Sequence, residues 1–388
     1  MKYFLLIKKK YVLINKLFIL FILAKLIYIT LNIHSLIQLF SYNESKNIET
    51  FLTLCNNSNI KDLSCFSKKK IIKVSIVSPI FNRSKYLIRF LKSVQYQYFN
   101  DIEIILIDDF SPDKSVKLIK KYQSIDKRII LIRNKKNYGT FKSRNIGIMK
   151  SKGEYIILPD PDDILSHYNL KMFYNFAKKY NFEMIRYNLF MSGNRVYLSE
   201  IIHKIPTRPV FQPELQTFFC YALGELKYVD HNIANKFIKR EVLIRALHFI
   251  PKDYLSIYMT TFEDQLLNFV LHRMAKSYYF LDKIGYYYIK NPDSITKQGF
   301  LQKSIKDVFE LLKFVFNFSR NTLHEKNIFN VIFDDLVIQT NVSDRITSIK
   351  DNIKFYLNAI DSFLHNDFIT INNKKYLIKL KRKLIKTH

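Results

Sequence analysis

Three aspartates, Asp160, Asp162 and Asp163, close the apolar run "EYIILPDPDD". A buried strand end is a costly place for three like charges unless a cation sits among them. A second acidic pair, Asp108 and Asp109, closes the run "IEIILIDD". Oxygen-only ligands suit Mg²⁺ or Mn²⁺ rather than zinc. Mg²⁺ is usually held by one or two carboxylates together with substrate phosphates, so the pattern points to a nucleotide diphosphate. Either cluster taken alone is also a good turn sequence, because aspartate favours turns. A third pair, Glu263 and Asp264 of "TFEDQLL", opens a helical pattern. A carboxylate there can take the proton of an attacking hydroxyl, or can simply complement a helix dipole.

These acids need a scaffold that brings strand ends together. From Ile71 onward, β-branched apolar runs alternate with amphipathic stretches: "KVSIVSPI", a helix over Tyr86 to Tyr98, "IEIILIDD", a helix over Ser115 to Gln123, "RIILIRN", a helix over Phe141 to Met149, and "EYIILPD". That alternation predicts an α/β fold with a mostly parallel sheet and helices on both faces. Ligands of such sheets bind at the carboxyl ends of the strands. Asn82, Asp108, Asp109, Asn134, Asn137, Asp160, Asp162 and Asp163 all fall there. The chain holds no G-x-G-x-x-G and no P-loop, which disfavours a dinucleotide dehydrogenase or a P-loop kinase.

Four stretches, "VSIVSPIFNRSKYLIRFLKSVQYQ", "IEIILIDDFSPDKS", "NKKNYGTFKSRNIGI" and "GEYIILPDPDDIL", stand in the order and spacing of family 2 glycosyltransferases. The chain resembles that family from Val74 to about Tyr187, and again at "NIANKFIKREVL", "FEDQLL" and "YYYIKNPDSIT". The resemblance implies a GT-A fold, which is Rossmann-like, a nucleotide-sugar donor such as a UDP-sugar, Mn²⁺ or Mg²⁺, and inverting, non-processive transfer to a glycan, lipid or protein acceptor. It implies that "DPDD" is a metal-binding DXD motif, with Asp160 and Asp162 as its acids and Asp163 close enough to share metal or ribose contacts. Phe81 falls where the family sets an aromatic ring against the base. Asp109, or its neighbour Asp108, falls where an acid reads the base edge, and Arg144 where an arginine meets base or phosphate. Asp264, with Glu263 beside it, matches the acid pair that supplies the catalytic base. A helix beginning near Val242 is expected to bring Lys236 near the donor. Processive polymer synthases carry several membrane spans and a QxxRW motif, whereas this chain has no tryptophan.

The N-terminus adds a membrane expectation. From Leu17 to Leu31, eleven residues are Leu, Ile or Phe. Each is worth roughly −0.3 to −0.6 kcal/mol of insertion, which outweighs the roughly +3 kcal/mol of Lys25. Lys2, Lys8, Lys9, Lys10 and Lys16 precede the run, so the positive-inside tendency predicts a single-pass type II anchor with a lumenal remainder, in the Golgi or endoplasmic reticulum. A cleaved signal peptide is the rival, without an A-x-A site to support it. Sequons at Asn43, Asn56, Asn317 and Asn341 fit a lumenal setting. The expected layout is a cytosolic tail over 1–10, an anchor over 11–33, a stem over 34–70, a nucleotide-sugar half over 71–188, an acceptor and base half over 189–299, and a helical extension over 300–388.

The net charge of +29 would suit a polyanion, but a chain crowded with Lys, Asn and Ile and holding only 7 Gly reads first as compositional bias. Nucleic acid is therefore not an expected partner. Cys55, Cys65 and Cys220 form no CxxC pair, so no zinc ribbon is supported, and a Cys55–Cys65 bridge and free thiols stay equally open. Two other classes remain: a nucleotidyltransferase with a similar sheet, which usually begins with a Gly-rich loop, and a basic binding module with no catalysis.

Overall fold

The computed structural model describes residues 71–191, 209–211, 232–289, 291, 302–318, 328–334, 336, 353–367 and 369–387. The expected tail, anchor and stem, all three cysteines, and the sequons at Asn43, Asn56 and Asn341 lie outside the described residues. Among the described residues, no helix is long and apolar enough to cross a membrane.

The chain runs through β1 (Val74–Ile80), α1 (Ser84–Gln95), β2 (Ile102–Asp108), α2 (Ser115–Ile125), β3 (Ile129–Arg133), α3 (Thr140–Lys150), β4 (Tyr155–Ile157) and β5 (Ile164–Leu165). It continues through α4 (Asn169–Tyr180), β6 (Met184–Met191), β7 (Val210–Phe211), β8 (Lys236–Lys239), α5 (Arg240–Phe249), α6 (Glu263–Met274) and β9 (Ser277–Tyr288). Among the described residues further helices follow, including α7 (Gln302–Phe318), α8 (Ile353–Leu364) and α9 (Ile371–Thr387). The strands form one sheet in the order β3-β2-β1-β4-β8-β6-β9-β5, with β7 on β9.

All seven residues of β1 and of β2 are buried, because helices cover both faces of the parallel half. The register pairs Ile80 with Asp108 and Asp108 with Arg133, so the carboxyl ends of β1, β2 and β3 finish level. Strand pairing alone therefore sets Asp108 beside Ile80 and Arg133 at that edge. Helix α3 reaches the sheet closely because Gly147 has no side chain; a Cβ there would sit 2.4 Å from Val77 Cγ1 and 2.5 Å from Ile107 Cδ1.

The sheet is mixed, not mostly parallel as expected. β3, β2, β1 and β4 are parallel, but β8 enters antiparallel between β4 and β6, and β5 and β7 run antiparallel to β9. A short apolar run such as "KFIK" has the same alternation in either direction, so its polarity is not written in its residues. Two boundaries also move. The first helix spans Ser84–Gln95, and β4 ends at Ile157, which leaves the aspartates on a loop beyond it. Lys236 stands on β8 and not on the following helix, which starts at Arg240; it is fully buried and donates to the Asn232 carbonyl.

The C-terminal helices do not stand apart. Phe309, Phe314, Phe329, Phe333 and Phe363 share one core with Leu266, Phe269 and Val270 of α6. A fully buried Phe contributes on the order of 2–3 kcal/mol, so this extension is part of what fixes the helix that begins with Glu263.

Candidate functional site

The loop after β4 is clamped from β9. The Tyr286 hydroxyl accepts the Asp160 N–H at 3.0 Å and donates to Asp163 Oδ2 at 2.6 Å. The Ile289 N–H donates to Asp163 Oδ1 at 2.8 Å, and Asn291 Nδ2 donates to Asp162 Oδ2 at 3.1 Å. The pairing of Ile164 with Tyr287 and of Leu165 with Tyr286 holds the two segments in register. Both oxygens of the buried Asp163 are thus engaged by protein donors. Burial, and then the like charges of Asp160 and Asp162, push its carboxyl well above the usual range. The geometry gives Asp163 a part in shaping the loop.

Asp160 and Asp162 keep more solvent contact, with side chains 45% and 18% exposed. Desolvation pushes Asp160 up to about 6; Arg144 works against that shift, while Asp162 and Glu263 add like charge. Because nearly half of this side chain meets water, solvent screens part of the effect. Arg83 Nε approaches Asp162 at 3.7 Å. Among the described residues no three acids, histidines or cysteines converge to hold a metal by themselves. A pair of carboxylates with oxygen donors still fits Mg²⁺ or Mn²⁺ when phosphate oxygens complete the shell.

Asp108 and Asp109 point into the protein. Asp108 is fully buried, accepts the Ser111 N–H at 3.2 Å and pairs with Arg133 at 3.4 Å. Asp109 accepts from Asn134 Nδ2, the Tyr138 N–H and the Gly139 N–H, each at 2.8 Å. It therefore builds the loop that leads into α3, and a base edge would have to share its lone pairs. That loop turns at Gly139, whose φ of +86° suits glycine, and a Cβ there would lie 2.9 Å from the Met259 carbonyl oxygen. Phe81 follows β1 with 42% of its surface exposed, so a ring face is open to a ligand.

Arg144 is turned away from solvent, only 2% exposed, and lies 3.1 Å from Glu263 and 3.4 Å from Asp160. Desolvation opposes its charge, and Glu263, Asp160 and Asp264 more than offset that, raising the guanidinium above its ordinary range. Arg144 thus bridges two acids. Glu263 is buried at the first residue of α6 and Asp264 half-buried beside it, both in the first turn. The turn before them is set by Phe262 in a left-handed conformation, φ +60°.

Sequence reasoning misses what holds that turn. Asp307 of α7 is 1% exposed, and its Oδ2 accepts the Thr260 N–H at 3.1 Å, the Thr261 N–H at 3.0 Å and the Thr261 hydroxyl at 2.8 Å. Burial pushes its carboxyl up to about 6 despite these donors. The available signal is an acid inside the apolar pattern "SIKDVFELL", where a buried charge needs partners.

Comparison with known proteins follows the same lines. The family model described as glycosyl transferase family 2 matches residues 75–245. An uncharacterized glycosyltransferase of Haemophilus influenzae is 35% identical over 135 residues, covering 34% of this chain and 54% of that protein. The cholesterol galactosyltransferase of Borreliella burgdorferi is 28% identical over 264 residues, covering 66% and 69%. The poly(ribitol-phosphate) β-N-acetylglucosaminyltransferase TarP of Staphylococcus aureus is 29% identical over 225 residues, covering 56% and 63%. The chain thus spans only part of the length of these relatives. Among solved structures, S. aureus TarS 1–349 in complex with UDP aligns with a TM-score of 0.59 at 18% identity, over 81% of this chain and 88% of that one. That likeness establishes a GT-A-like fold for the mixed sheet and its helices. Strand-end acids, fold and family match agree over residues 75–245, the part of the chain that is similar to glycosyl transferase family 2.

Proposed function

We propose that this chain transfers a sugar from a nucleotide-diphosphate donor, a UDP-sugar, to a hydroxyl of a glycan, glycolipid or glycoprotein, with inversion and with Mn²⁺ or Mg²⁺ bound. One observation carries the reading: Arg144 draws Asp160 of the strand-end loop and Glu263 of α6 to a single guanidinium. The donor-side acids and the helix acids therefore share one site. Relatives support the donor class, since TarS is solved with UDP and with UDP-GlcNAc and TarP is an N-acetylglucosaminyltransferase.

In this reading Phe81 offers its exposed ring face to the base. Asp160 and Asp162 are the residues that would hold the cation, whose chemistry there would be to neutralise charge on the departing diphosphate. Glu263 is committed to Arg144 at 3.1 Å. Asp264 therefore accepts the acceptor hydroxyl's proton as that oxygen attacks the anomeric carbon. The nucleotide diphosphate departs from the opposite face, so one displacement inverts the configuration. Residues 11–33 serve as a membrane anchor in the same proposal, supported by the eleven Leu, Ile and Phe between Leu17 and Leu31.

The test is release of the nucleotide diphosphate by the full chain in detergent, offered UDP-GlcNAc, UDP-galactose, UDP-glucose and GDP-mannose with and without Mn²⁺. Metal-dependent release from a UDP-sugar, with an inverted anomeric signal in the product, is expected. Release independent of metal, or none from any donor, overturns the proposal.

A further inference from the structure

Helix α9 has two unlike faces. Inward, Asn373, Leu377, Leu380 and Leu384 are buried, and Asn373 Nδ2 donates to Asn330 at 3.1 Å. This face docks the helix on the core. Outward, Ile371, Ile378 and Ile385 recur every seven residues and are 73%, 40% and 56% exposed. Lys375, Lys379, Arg382 and Lys386 are exposed as well. At 3.6 residues per turn, these seven positions fall within an arc of about 120°. No acidic residue occurs anywhere in the helix.

The lysine-rich composition of the whole chain accounts for cations on a solvated helix. It does not account for three β-branched aliphatics in register among them. A helix facing water needs no apolar stripe on its outer face, and the residues that would pack it against the protein already occupy the inner face. A second copy of the chain is a poor occupant, because self-association would set four cations against four cations. An anionic bilayer surface satisfies both features: the isoleucines enter the boundary between headgroups and acyl chains while the cations meet lipid phosphates.

We propose that the outer face of α9 lies in the plane of an anionic lipid surface, so that the C-terminal helices rest on the membrane independently of any N-terminal anchor. The chain contains no tryptophan, so Ile378→Trp installs a single reporter on that face. The full-length variant is reconstituted into vesicles of brominated phosphatidylcholine, with or without brominated phosphatidylglycerol. A blue-shifted emission quenched by bromine is expected in the anionic vesicles, and much less of both in neutral ones. Exchange of Lys375, Lys379, Arg382 and Lys386 for Gln should lower the docked-to-undocked ratio roughly fivefold per charge. A control reporter at Met149, 50% exposed on α3, should remain water-like. Emission from position 378 that matches this control in anionic vesicles overturns the proposal. So does a blue shift that appears without lipid and grows with protein concentration, because the occupant is then another copy of the chain.

Discussion

The guanidinium of Arg144 lies 3.1 Å from the carboxylate of Glu263, across 119 residues of sequence, and both side chains are buried. The same guanidinium reaches Asp160 at 3.4 Å. One cation therefore ties the strand-end loop to the first turn of the helix that carries the second acid pair.

Removing that cation strands a buried charge. Arg144→Met should cost about 3–5 kcal/mol in urea unfolding. Adding Glu263→Leu to it should recover much of the loss, because the uncompensated carboxylate is gone. Strict additivity of the two changes in a double-mutant cycle would show that the pair is not energetically coupled.

Tyr286 is the hub of the aspartate loop, accepting from Asp160 and donating to Asp163. Tyr286→Phe removes the hydroxyl but keeps the ring. We expect a stability loss of about 1–3 kcal/mol and a weakening of Mn²⁺ binding in the presence of UDP by roughly 10–100-fold, as for outer-shell partners elsewhere. Calorimetric titration that returns an unchanged metal affinity would limit Tyr286 to packing.

Asp307 gives a pH prediction with a definite sign. Burial lifts its folded carboxyl up to about 6 from 3.8, with Glu263 adding like charge. The folded state then binds more protons than the unfolded state between these values, so this group's contribution is fully present below about pH 4 and lost as pH rises through about 6. Relative to Asp307→Asn, the wild type should lose on the order of 2–3 kcal/mol between pH 4 and pH 7. Parallel stability curves for the two proteins would show that Asp307 does not titrate in this window.

Asp264 separates binding from turnover. Asp264→Asn should leave metal-dependent donor affinity within a factor of about two and lower kcat by roughly 10²–10⁴, the range for loss of a general base. Equal loss of donor affinity and kcat would assign it a structural part instead.

The parallel half of the fold is legible in the sequence because each of its strands is a continuous apolar run and helices α1 and α2 have a clear period. The strand-end acids follow from it, since level register places Asp108 beside Ile80 and Arg133. The polarity of β8 is not legible, because alternation carries no direction. Nor is the orientation of Arg144: an arginine beside an acidic motif reads the same whether it faces a phosphate or two carboxylates. Asp307 is hidden for a different reason, as its partners Thr260 and Thr261 lie 47 and 46 residues away and only the packing of α7 against α6 brings them together.

The central claim is that Asp160 helps a divalent cation hold the diphosphate of a nucleotide donor. Thermal unfolding of the full chain in detergent, with and without Mn²⁺ and across UDP, GDP and CDP, tests it directly. A ligand at about a hundred times its dissociation constant adds roughly 2.7 kcal/mol, visible as a higher midpoint. Stabilisation by UDP only when Mn²⁺ is present, erased in Asp160→Ala, is the predicted result. Stabilisation by UDP that ignores both the metal and the substitution, or no stabilisation by any of the three at saturation, would contradict the account.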